Sequence, residues 1–526
     1  MSRKIREQLK SKYGRVPKPN YYAEDMEFIR SYFDFREKKK AEFLVDEITY
    51  HDLSMETIFK RINPRNSTPG EQYLYYMLRS PQVKEESYQK RRTIIDFFSN
   101  NEKERLDIQT DLKMLGVSHR ADVSRLFDPE IHQGSNLIIY ILSNLLLLAT
   151  LLAGIFIARE FLILSWLIGA LNSIWHFLMH KKIGAEVDLA NYTVMMVHTR
   201  HRIKKRGIKE VDMILSEHQK SYESLKKLRK HRFNSMLSRD ALSGMINSLF
   251  LMDFITFELV RKTLSKHPED IYNIHEELGL LDSAIAIASY RESLPNSVAG
   301  HIDFKSKKPF LEACGLYHPL LEEAVRNDFS SESSVLITGS NASGKSTYLK
   351  SAVFSSILAQ SIMSVCAESF SSSVLYPYTS MALSDDILGG DSYYIAETKS
   401  LKRILDANAR GEMVLCAIDE VLRGTNTVER IAASTEILRT LSRRGALCVV
   451  ASHDIELTEL LKEDYQMLHF REEMSEGSIT FDYVVHQGKA TSRNAINLLQ
   501  LLGFDDSIVK GAHERADRFI KTNQWS

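Results

Sequence analysis

A glycine-rich segment at residues 339–346 has the spacing of a phosphate-binding loop. It reads GSNASGKS and fits the pattern G-x-x-x-x-G-K-[ST] completely, with an apolar run before it and a helix-compatible run after it. In this context the glycines let backbone N–H groups approach phosphate oxygens, and the helix N-terminus adds the positive end of its dipole. We expect Lys345 to reach the β- and γ-phosphates of a nucleotide, and the Ser346 hydroxyl to coordinate Mg²⁺. The predicted nucleotide-binding residues are Gly339, Ser340, Asn341, Ala342, Ser343, Gly344, Lys345, Ser346 and Thr347.

Two later apolar segments end in side chains that could complete a hydrolytic site. VLCAIDE, residues 414–420, ends in two carboxylates. We expect Asp419 to hold Mg²⁺ through water, and Glu420 to polarise the attacking water as a general base. ALCVVASH ends in His453, where it could sense the γ-phosphate. Paired acids can also be a solvated strand edge or a helix cap, and a lone histidine at a strand end is more often structural. The upstream loop favours an ATP-hydrolysing, Mg²⁺-dependent site.

The elements that must position these residues are those of an α/β domain. From about residue 301 short apolar, β-rich runs alternate with helical segments, which predicts a layered fold with a largely parallel sheet. Residues 46–130 and 183–300 read as helical, without an internal repeat.

Composition narrows the functional classes. With 68 basic and 68 acidic residues the formal net charge is zero, so any nucleic-acid site must be a local patch. The basic N-terminus has no apolar segment behind it, which argues against a secretory signal. The widely spaced cysteines indicate reduced thiols in a cytosolic compartment rather than disulfides or a zinc site; they are Cys314, Cys366, Cys416 and Cys448.

Residues 137–158 form an apolar run with no charge, and a second apolar run covers residues 161–179. The first run is long enough to cross a bilayer, and it lacks the polar face that buried helices of soluble proteins usually keep. A transmembrane hairpin is therefore favoured over a pair of buried core helices. Cations such as Lys181 and Lys182 follow the second run, so the positive-inside rule places both long flanks in the cytoplasm.

The order of these motifs resembles the MutS family, a branch of the ABC-type ATPases. TGSNASGKST resembles the family's P-loop, DEVLRGTNT its acidic segment and ASHDIEL its histidine segment. LYHPLL, AESF and SDDILGGDSYYIAET resemble its other ATPase motifs, and TSRNAINLLQLLGFDDSIVKGAHERA its terminal helix-turn-helix. ETIFKRINPRNSTPGEQYLYYMLRSP and SAIAIASY are similar to the start and the end of the family's helical lever domain.

The resemblance implies a homodimer in which each subunit donates a signature-region serine, here Ser392, to its partner's nucleotide. It also implies ATP and Mg²⁺ as cofactors and DNA as the cargo, with mismatch repair or damage sensing as the role. Residues 1–45 are too few for the family's mismatch-reading domain, and the hairpin stands where the DNA clamp is normally inserted. We therefore expect a truncated, membrane-anchored variant.

The predicted fold is a C-terminal α/β P-loop ATPase domain preceded by an all-α lever domain that a two-helix transmembrane hairpin interrupts. Residues 136–180 would contact lipid in a prokaryotic plasma membrane, with the lever and ATPase domains in the cytoplasm. The predicted segments are 1–45, a charged N-terminal segment; 46–130 and 183–300, the lever domain; 131–182, the hairpin; and 301–526, the ATPase domain with its helix-turn-helix.

Two alternatives stay open. The chain could be a mechanochemical or scaffold ATPase at the membrane that recognises no DNA mismatch, whereas a transporter is disfavoured because two helices per subunit make a thin translocation path. The basic stretches at residues 200–206 and 226–232 could be solvated helix faces, contacts for anionic lipid, or contacts for DNA phosphates.

Overall fold

The computed structural model describes residues 2–37, 43–127, 136–231, 241–321, 323–340, 343–381, 393–475, 478–489, 496, 499 and 503–522. The chain forms two compact units. The helical unit consists of residues 1–41, 59–77 and 90–293, and the α/β unit of residues 42–58, 78–89 and 294–526. This division into two units does not test the five segments predicted from the sequence, which remain predictions.

The part of the chain before residue 294 is helical. Its helices are α1 (Ser2–Lys12), α2 (Ala23–Glu37), α3 (Glu47–Asp52), α4 (Met55–Ile62), α5 (Thr68–Arg79), α6 (Glu85–Asn100), α7 (Glu102–Leu115), α8 (Leu137–Phe156), α9 (Glu160–Lys204), α10 (Lys209–Glu217), α11 (Gln219–Leu225), α12 (Ala241–Phe250), α13 (Met252–Lys266) and α14 (Pro268–Ser293). Short 3₁₀ helices cover Val123–Phe127 and Lys226–Lys230.

Helix α14 forms the centre of the helical unit. It begins with Pro268, whose missing N–H is not needed in the first turn, and acidic residues follow it there. Glu277, buried within α14, accepts hydrogen bonds from Arg200 of α9, with an Nε–Oε2 distance of 2.7 Å. One turn further on, Asp282 accepts from Asn66 at 3.0 Å and from Ser67 at 2.5 Å. Buried polar groups of distant segments are thus satisfied on one helix.

Helices α8 and α9 carry the apolar runs. Both are long and apolar enough to cross a membrane, by length and composition. Large apolar side chains point outward along them, for example Phe156 at 80% exposure and Trp166 at 71%. Between the two helices Ser143 donates to Asn172 Oδ1 at 2.6 Å. Helix α9 continues past the apolar run, with a local departure from helical geometry at Ile183, and ends buried in the helical unit.

The α/β unit contains two sheets. Their strands are β1 (His301–Asp303), β2 (Leu311–Leu316), β3 (Asn327–Ser331), β4 (Ser334–Thr338), β5 (Ser369–Ser373), β6 (Tyr376–Ser380), β7 (Val414–Asp419), β8 (Leu447–Ala451), β9 (Tyr465–Ser475) and β10 (Ser478–Gln487). The larger sheet has the order β10-β9-β4-β8-β7-β6, and all its neighbours are parallel except β9 and β10. The smaller sheet has the order β1-β5-β2-β3.

The helices of this unit after residue 294 are α15 (Lys345–Ser361), α16 (Tyr393–Ala409), α17 (Thr427–Arg443), α18 (Glu456–Leu460) and α19 (Asp506–Thr522). Strands β4 and β8 are buried throughout, and β7 up to its last residue, as strands covered on both faces of a parallel sheet must be. The predicted α/β architecture is confirmed, and the predicted largely parallel sheet corresponds to the larger one, because β2 pairs antiparallel with β3 and β5 in the smaller sheet. Much of the first part of the predicted terminal helix-turn-helix lies outside the described residues.

Strand β6 forms one edge of the larger sheet, and the short helix α3 covers it. Thr379 N–H donates to Thr49 Oγ1 at 3.2 Å, and the Thr379 hydroxyl donates to Asp52 Oδ2 at 2.6 Å. Met381 N–H donates to the same carboxylate oxygen at 3.1 Å. Side chains of α3 therefore satisfy backbone donors that an uncovered edge strand would present to its surroundings.

Candidate nucleotide-binding site

The glycine-rich loop connects β4 to α15. Gly339 has a φ of 145° and Gly344 a φ of 103°, values that residues with a side chain rarely adopt. A Cβ at Gly339 would also lie 3.1 Å from the carbonyl oxygen of Phe470. Both conformation and space therefore require glycine at this position. Asn341 and Ala342, two of the predicted binding residues, lie outside the described residues.

Lys345 is the first residue of α15, and its ammonium group turns back onto the loop. Nζ donates to the carbonyl oxygens of Gly339 at 2.8 Å and of Ser340 at 2.6 Å. Burial lowers the pKa of Lys345, while Asp419 and Glu420 act in the opposite direction. The cation thus lies at the loop, held by two carbonyl groups.

Two hydroxyl groups of the same loop lack a partner. Among the residues that the structure describes, the side-chain oxygens of Ser340 and Ser343 are buried without a hydrogen bond. A buried hydroxyl without a partner is costly, and phosphate oxygens are acceptors that could satisfy it. Together with the first N–H groups of α15, which have no partner within the helix, these donors fit a polyphosphate.

Ser346 and Asp419 form a pair of oxygen donors beside the loop. The Ser346 hydroxyl donates to Asp419 Oδ2 at 2.7 Å, which joins the start of α15 to the end of β7. A hydroxyl and a carboxylate are hard ligands of the kind Mg²⁺ takes, with water and phosphate oxygens completing its octahedron. The pair fits the predicted metal position.

Glu420 follows β7 directly and is held on both sides. Its backbone lies in the left-handed region, with a φ of 55°. His453 Nε2 lies 3.2 Å from one carboxylate oxygen, and the Arg423 guanidinium contacts the other. The hydrogen bond from His453 is the largest cause that lowers the pKa of Glu420, followed by the charge of Arg423, whereas burial opposes them. The carboxylate is therefore ionised, as a proton acceptor must be.

The structure brings together the predicted residues that it describes. Ser343, Lys345, Ser346, Asp419, Glu420 and His453 line one cavity of about 550 Å³, together with Gly344 and Thr347. The same cavity has an aromatic wall, formed by Tyr317, Phe470 and Tyr483, beside His318. Tyr317 and His318 belong to the LYHPLL segment, whose contacts could not be predicted from the sequence.

One buried side chain near this site was not anticipated. Glu397 of α16 accepts hydrogen bonds from the backbone N–H groups of Leu422 and Arg423, the latter at 3.1 Å. Leu422 is a second residue with a left-handed backbone, at a φ of 58°. Burial raises the pKa of Glu397, and the two backbone donors lower it. Glu397 belongs to the stretch that resembles the signature region. In the sequence its position could have been noticed from the acidic residue that follows Ser392 by five positions. Ser392 itself lies outside the described residues, as do Gly389 and Gly390 before it.

A family model described as MutS domain V matches residues 335–520. The chain is 29% identical to the DNA mismatch repair protein MutS of Thermotoga petrophila over 283 residues, which are 51% of this chain and 34% of that protein. Residues 335–520 are thus a MutS-family domain.

Other MutS proteins match this chain at similar identity. The chain is 30% identical to the DNA mismatch repair protein MutS of Natronomonas pharaonis over 281 residues, 50% of this chain and 31% of that protein. It is 32% identical to the same-named protein of Thermus aquaticus over 200 residues, which are 37% of this chain and 24% of that protein. The chain thus spans about a third or less of these relatives, and the MutS domain V match covers the loop, the acid pair and His453.

Proposed function

We propose that this MutS-family chain binds and hydrolyses ATP with Mg²⁺, as a dimer anchored in a membrane, and acts on DNA. The observation that carries the proposal is the convergence of Lys345, the Ser346–Asp419 pair and the Glu420–His453 pair on one cavity. Mg²⁺ bound by the Ser346–Asp419 pair would neutralise charge on the β- and γ-phosphates.

The side chains divide the work of ATP hydrolysis. Lys345 would exchange the carbonyls of Gly339 and Ser340 for phosphate oxygens, because an anionic acceptor makes the stronger hydrogen bond. Glu420 would accept a proton from the attacking water, and His453 would orient the Glu420 carboxylate through its contact with one carboxylate oxygen. The nucleoside would lie toward the aromatic wall, where Tyr317 and Tyr483 offer rings to stack on.

The membrane anchor is supported by the outward faces of α8 and α9. Their exposed side chains are apolar over the length of both apolar runs, far beyond the isolated apolar residues that a soluble surface usually carries. Fractionated cells should retain the protein in membranes after a carbonate wash, and deletion of residues 136–180 should release it. Recovery of the intact protein in the soluble fraction would instead favour buried core helices.

A role on DNA is supported by the relatives, whose printed name is DNA mismatch repair protein MutS. Four of the cations in residues 200–206 already pair with acidic side chains, and this pairing favours the rival role without DNA. Arg200 contacts Glu277, Arg202 and Arg206 contact Asp111, and Lys204 contacts Asp212 at 3.1 Å. Such pairing favours the structural role of this stretch over phosphate binding.

DNA titrations separate the two roles. Detergent-purified protein would be titrated with fluorescent perfect, mismatched and branched duplexes at several salt concentrations, while ATP turnover is followed. Binding that weakens steeply with salt, and that changes turnover, would support the DNA role. Turnover without binding at low salt would leave the mechanochemical or scaffold ATPase as the better description.

A further inference from the structure

Helices α12 and α13 form a tight hairpin that hydropathy does not single out. The chain reverses at Leu251, a buried residue with a left-handed backbone at a φ of 50°. Asn247 and Asp253 close the turn: Asp253 N–H donates to Asn247 Oδ1 at 3.0 Å, and the Asn247 amide donates back to the Asp253 carboxylate. Both side chains are buried. The Asp253 N–H group and the Asn247 amide therefore find their partners within the turn.

The tip of this hairpin lies against the middle of the apolar helices α8 and α9. The Asn144 amide donates to the carbonyl oxygen of Phe250 at 2.5 Å, and the Asn172 amide donates to that of Leu249 at 2.9 Å. These carbonyls belong to the last turn of α12, where no intrahelical donor is available. Gly169 allows the close approach, since a Cβ there would lie 2.9 Å from Leu249 Cδ2. Side chains of α8 and α9 thus take the place of water at the end of α12.

The depth of the tip can be read from the two apolar helices. Asn144 lies seven residues after the start of α8 at Leu137, which is about 10 Å at 1.5 Å per residue. Further along α13, Glu258 accepts from the N–H group of Asn136, the residue just before α8. Glu258 is therefore level with the entrance of α8. The tip at Leu251 lies about 10 Å beyond it, roughly a third of the 30 Å hydrocarbon core.

The outward surface of the hairpin is apolar. Met252, next to the tip residue Leu251, is 44% exposed, and Met245 and Ile246 of α12 are exposed as well. The hydroxyl groups nearby fold back onto their own helices: Ser248 donates to the Met245 carbonyl at 2.9 Å, and Thr256 to the Met252 carbonyl at 2.9 Å. A surface of this kind suits hydrocarbon, because each polar atom at that depth needs an internal partner.

We propose that residues 241–256 form a re-entrant helical hairpin, which enters the bilayer beside α8 and α9 and returns to the side from which it came. Lipid acyl chains would contact Met245, Ile246 and Met252. The proposal rests on the membrane anchor proposed above. It adds a third membrane-embedded element, held by the amides of Asn144 and Asn172.

The test is the depth of spin labels in liposomes of phosphatidylethanolamine and phosphatidylglycerol. Single cysteines would replace Met252, Leu145 and Met213 in a full-length chain whose four natural cysteines are serine. Met252, 44% exposed, follows the tip residue Leu251 directly, and Leu145 of α8, 57% exposed, reports the anchor. Met213 of α10, 62% exposed, is the matched control outside the two apolar runs. We expect the labels at Met252 and Leu145 to collide with oxygen and to be shielded from a water-soluble nickel complex, with the reverse at Met213.

A label at Met252 that behaves like the one at Met213, while Leu145 remains shielded, would overturn the re-entrant hairpin and leave the anchor intact. Exposure of Leu145 to the nickel complex would overturn both. The unmutated protein gives a second measurement that does not depend on cysteine replacement. In the same liposomes, lipid carrying a diazirine in mid-chain should label peptides that contain residues 244–252, and labelling confined to α8 and α9 would contradict the proposal.

Discussion

The chemistry of the site depends on how Glu420 is held. His453 and Arg423 each engage one of its carboxylate oxygens, so the group stays ionised and its orientation is restricted from two sides. Lys345 and Ser346 instead lie at the loop and at Asp419. In the proposed function, phosphate binding and water activation are assigned to different side chains, so substitutions should separate them.

The substitution Glu420→Gln should keep nucleotide affinity and lower turnover by about 10²–10⁴-fold, because the amide cannot accept the proton. Lys345→Ala should instead lose binding, because the cation is the main partner of the β- and γ-phosphates. Equilibrium binding of a fluorescent ATP analogue and phosphate release measure the two effects. Unchanged turnover in Glu420→Gln would remove this residue from the base role.

At the scale of elements, α16 and the segment after β7 are tied together. Glu397 binds the N–H groups of Leu422 and Arg423, and Gly424 lets Tyr394 approach, since a Cβ at Gly424 would lie 3.0 Å from Tyr394 Cβ. The same segment begins with Glu420, and both Glu420 and Leu422 have strained backbones. Glu397 is thus a positioning residue that holds the loop carrying the proposed base.

Glu397→Ala should lower kcat by about 10–100-fold while the affinity for ATP changes only a few-fold, since the loop loses its support but the phosphate-binding residues do not. Glu397→Gln keeps one acceptor oxygen and should restore part of the rate. Lys402→Ala on the exposed side of the same helix is the control. An equal loss of kcat and of nucleotide binding in Glu397→Ala would indicate general unfolding of the site instead.

The pairing of α14 with α5 buries a histidine that should oppose folding in acid. His275 is fully buried against Gln72, at 2.9 Å, and burial lowers its pKa from 6.5 to about 3. The folded state therefore favours the neutral ring, and the contribution of His275 to stability is fully present above pH 6.5. This contribution falls as the pH drops from 6.5 toward 3, at roughly 1.4 kcal/mol per pH unit.

Denaturant titrations in detergent at pH 7 to 4.5 would measure this slope. On going from pH 7 to 4.5 the natural chain should lose more stability, or gain less, than His275→Gln, although the variant starts from a lower value. His51→Gln, at an exposed histidine, should match the natural slope. Burial raises the pKa of Asp282 to about 6 and that of Glu277 to about 7, so both contribute with the opposite sign, but they are present in all three proteins and cancel in the comparison. Identical slopes in all three proteins would refute the role of His275.

Much of the α/β unit could be predicted, because its central strands are short apolar runs with recognisable ends. Strands β4, β7 and β8 coincide with the three apolar runs, and each leads into a residue with recognisable chemistry. Glu397 could not be assigned a role, because its role depends on the backbone of Leu422, which no pattern reveals. The α12–α13 hairpin was missed because its apolar run is broken by Asp253, whose partner Asn247 is known only from the structure.

At the scale of the whole molecule, the resemblance to the MutS family implies that each nucleotide site is completed by Ser392 of a partner subunit. Mixing a Lys345→Ala protein with a Ser392→Arg protein would then create dimers in which one site carries both lesions and the other carries neither. We expect ATP turnover to rise on mixing, from near zero toward that of one intact site. The measurement is phosphate release after subunit exchange, with mixed dimers counted through two affinity tags. Abundant mixed dimers without turnover would contradict independent composite sites.

The covering of strand β6 by α3 has a consequence for how the α/β unit can be cut or inherited. A fragment that begins at residue 294 would lack Thr49 and Asp52, and the backbone donors of Thr379 in the edge strand and of Met381 just after it would become free to pair with another chain. Such a fragment should self-associate through its exposed edge. Gene fusions that transplant residues 294–526 alone would face the same penalty, so the short segment around residues 46–52 must travel with a domain from which it is separated by more than two hundred residues.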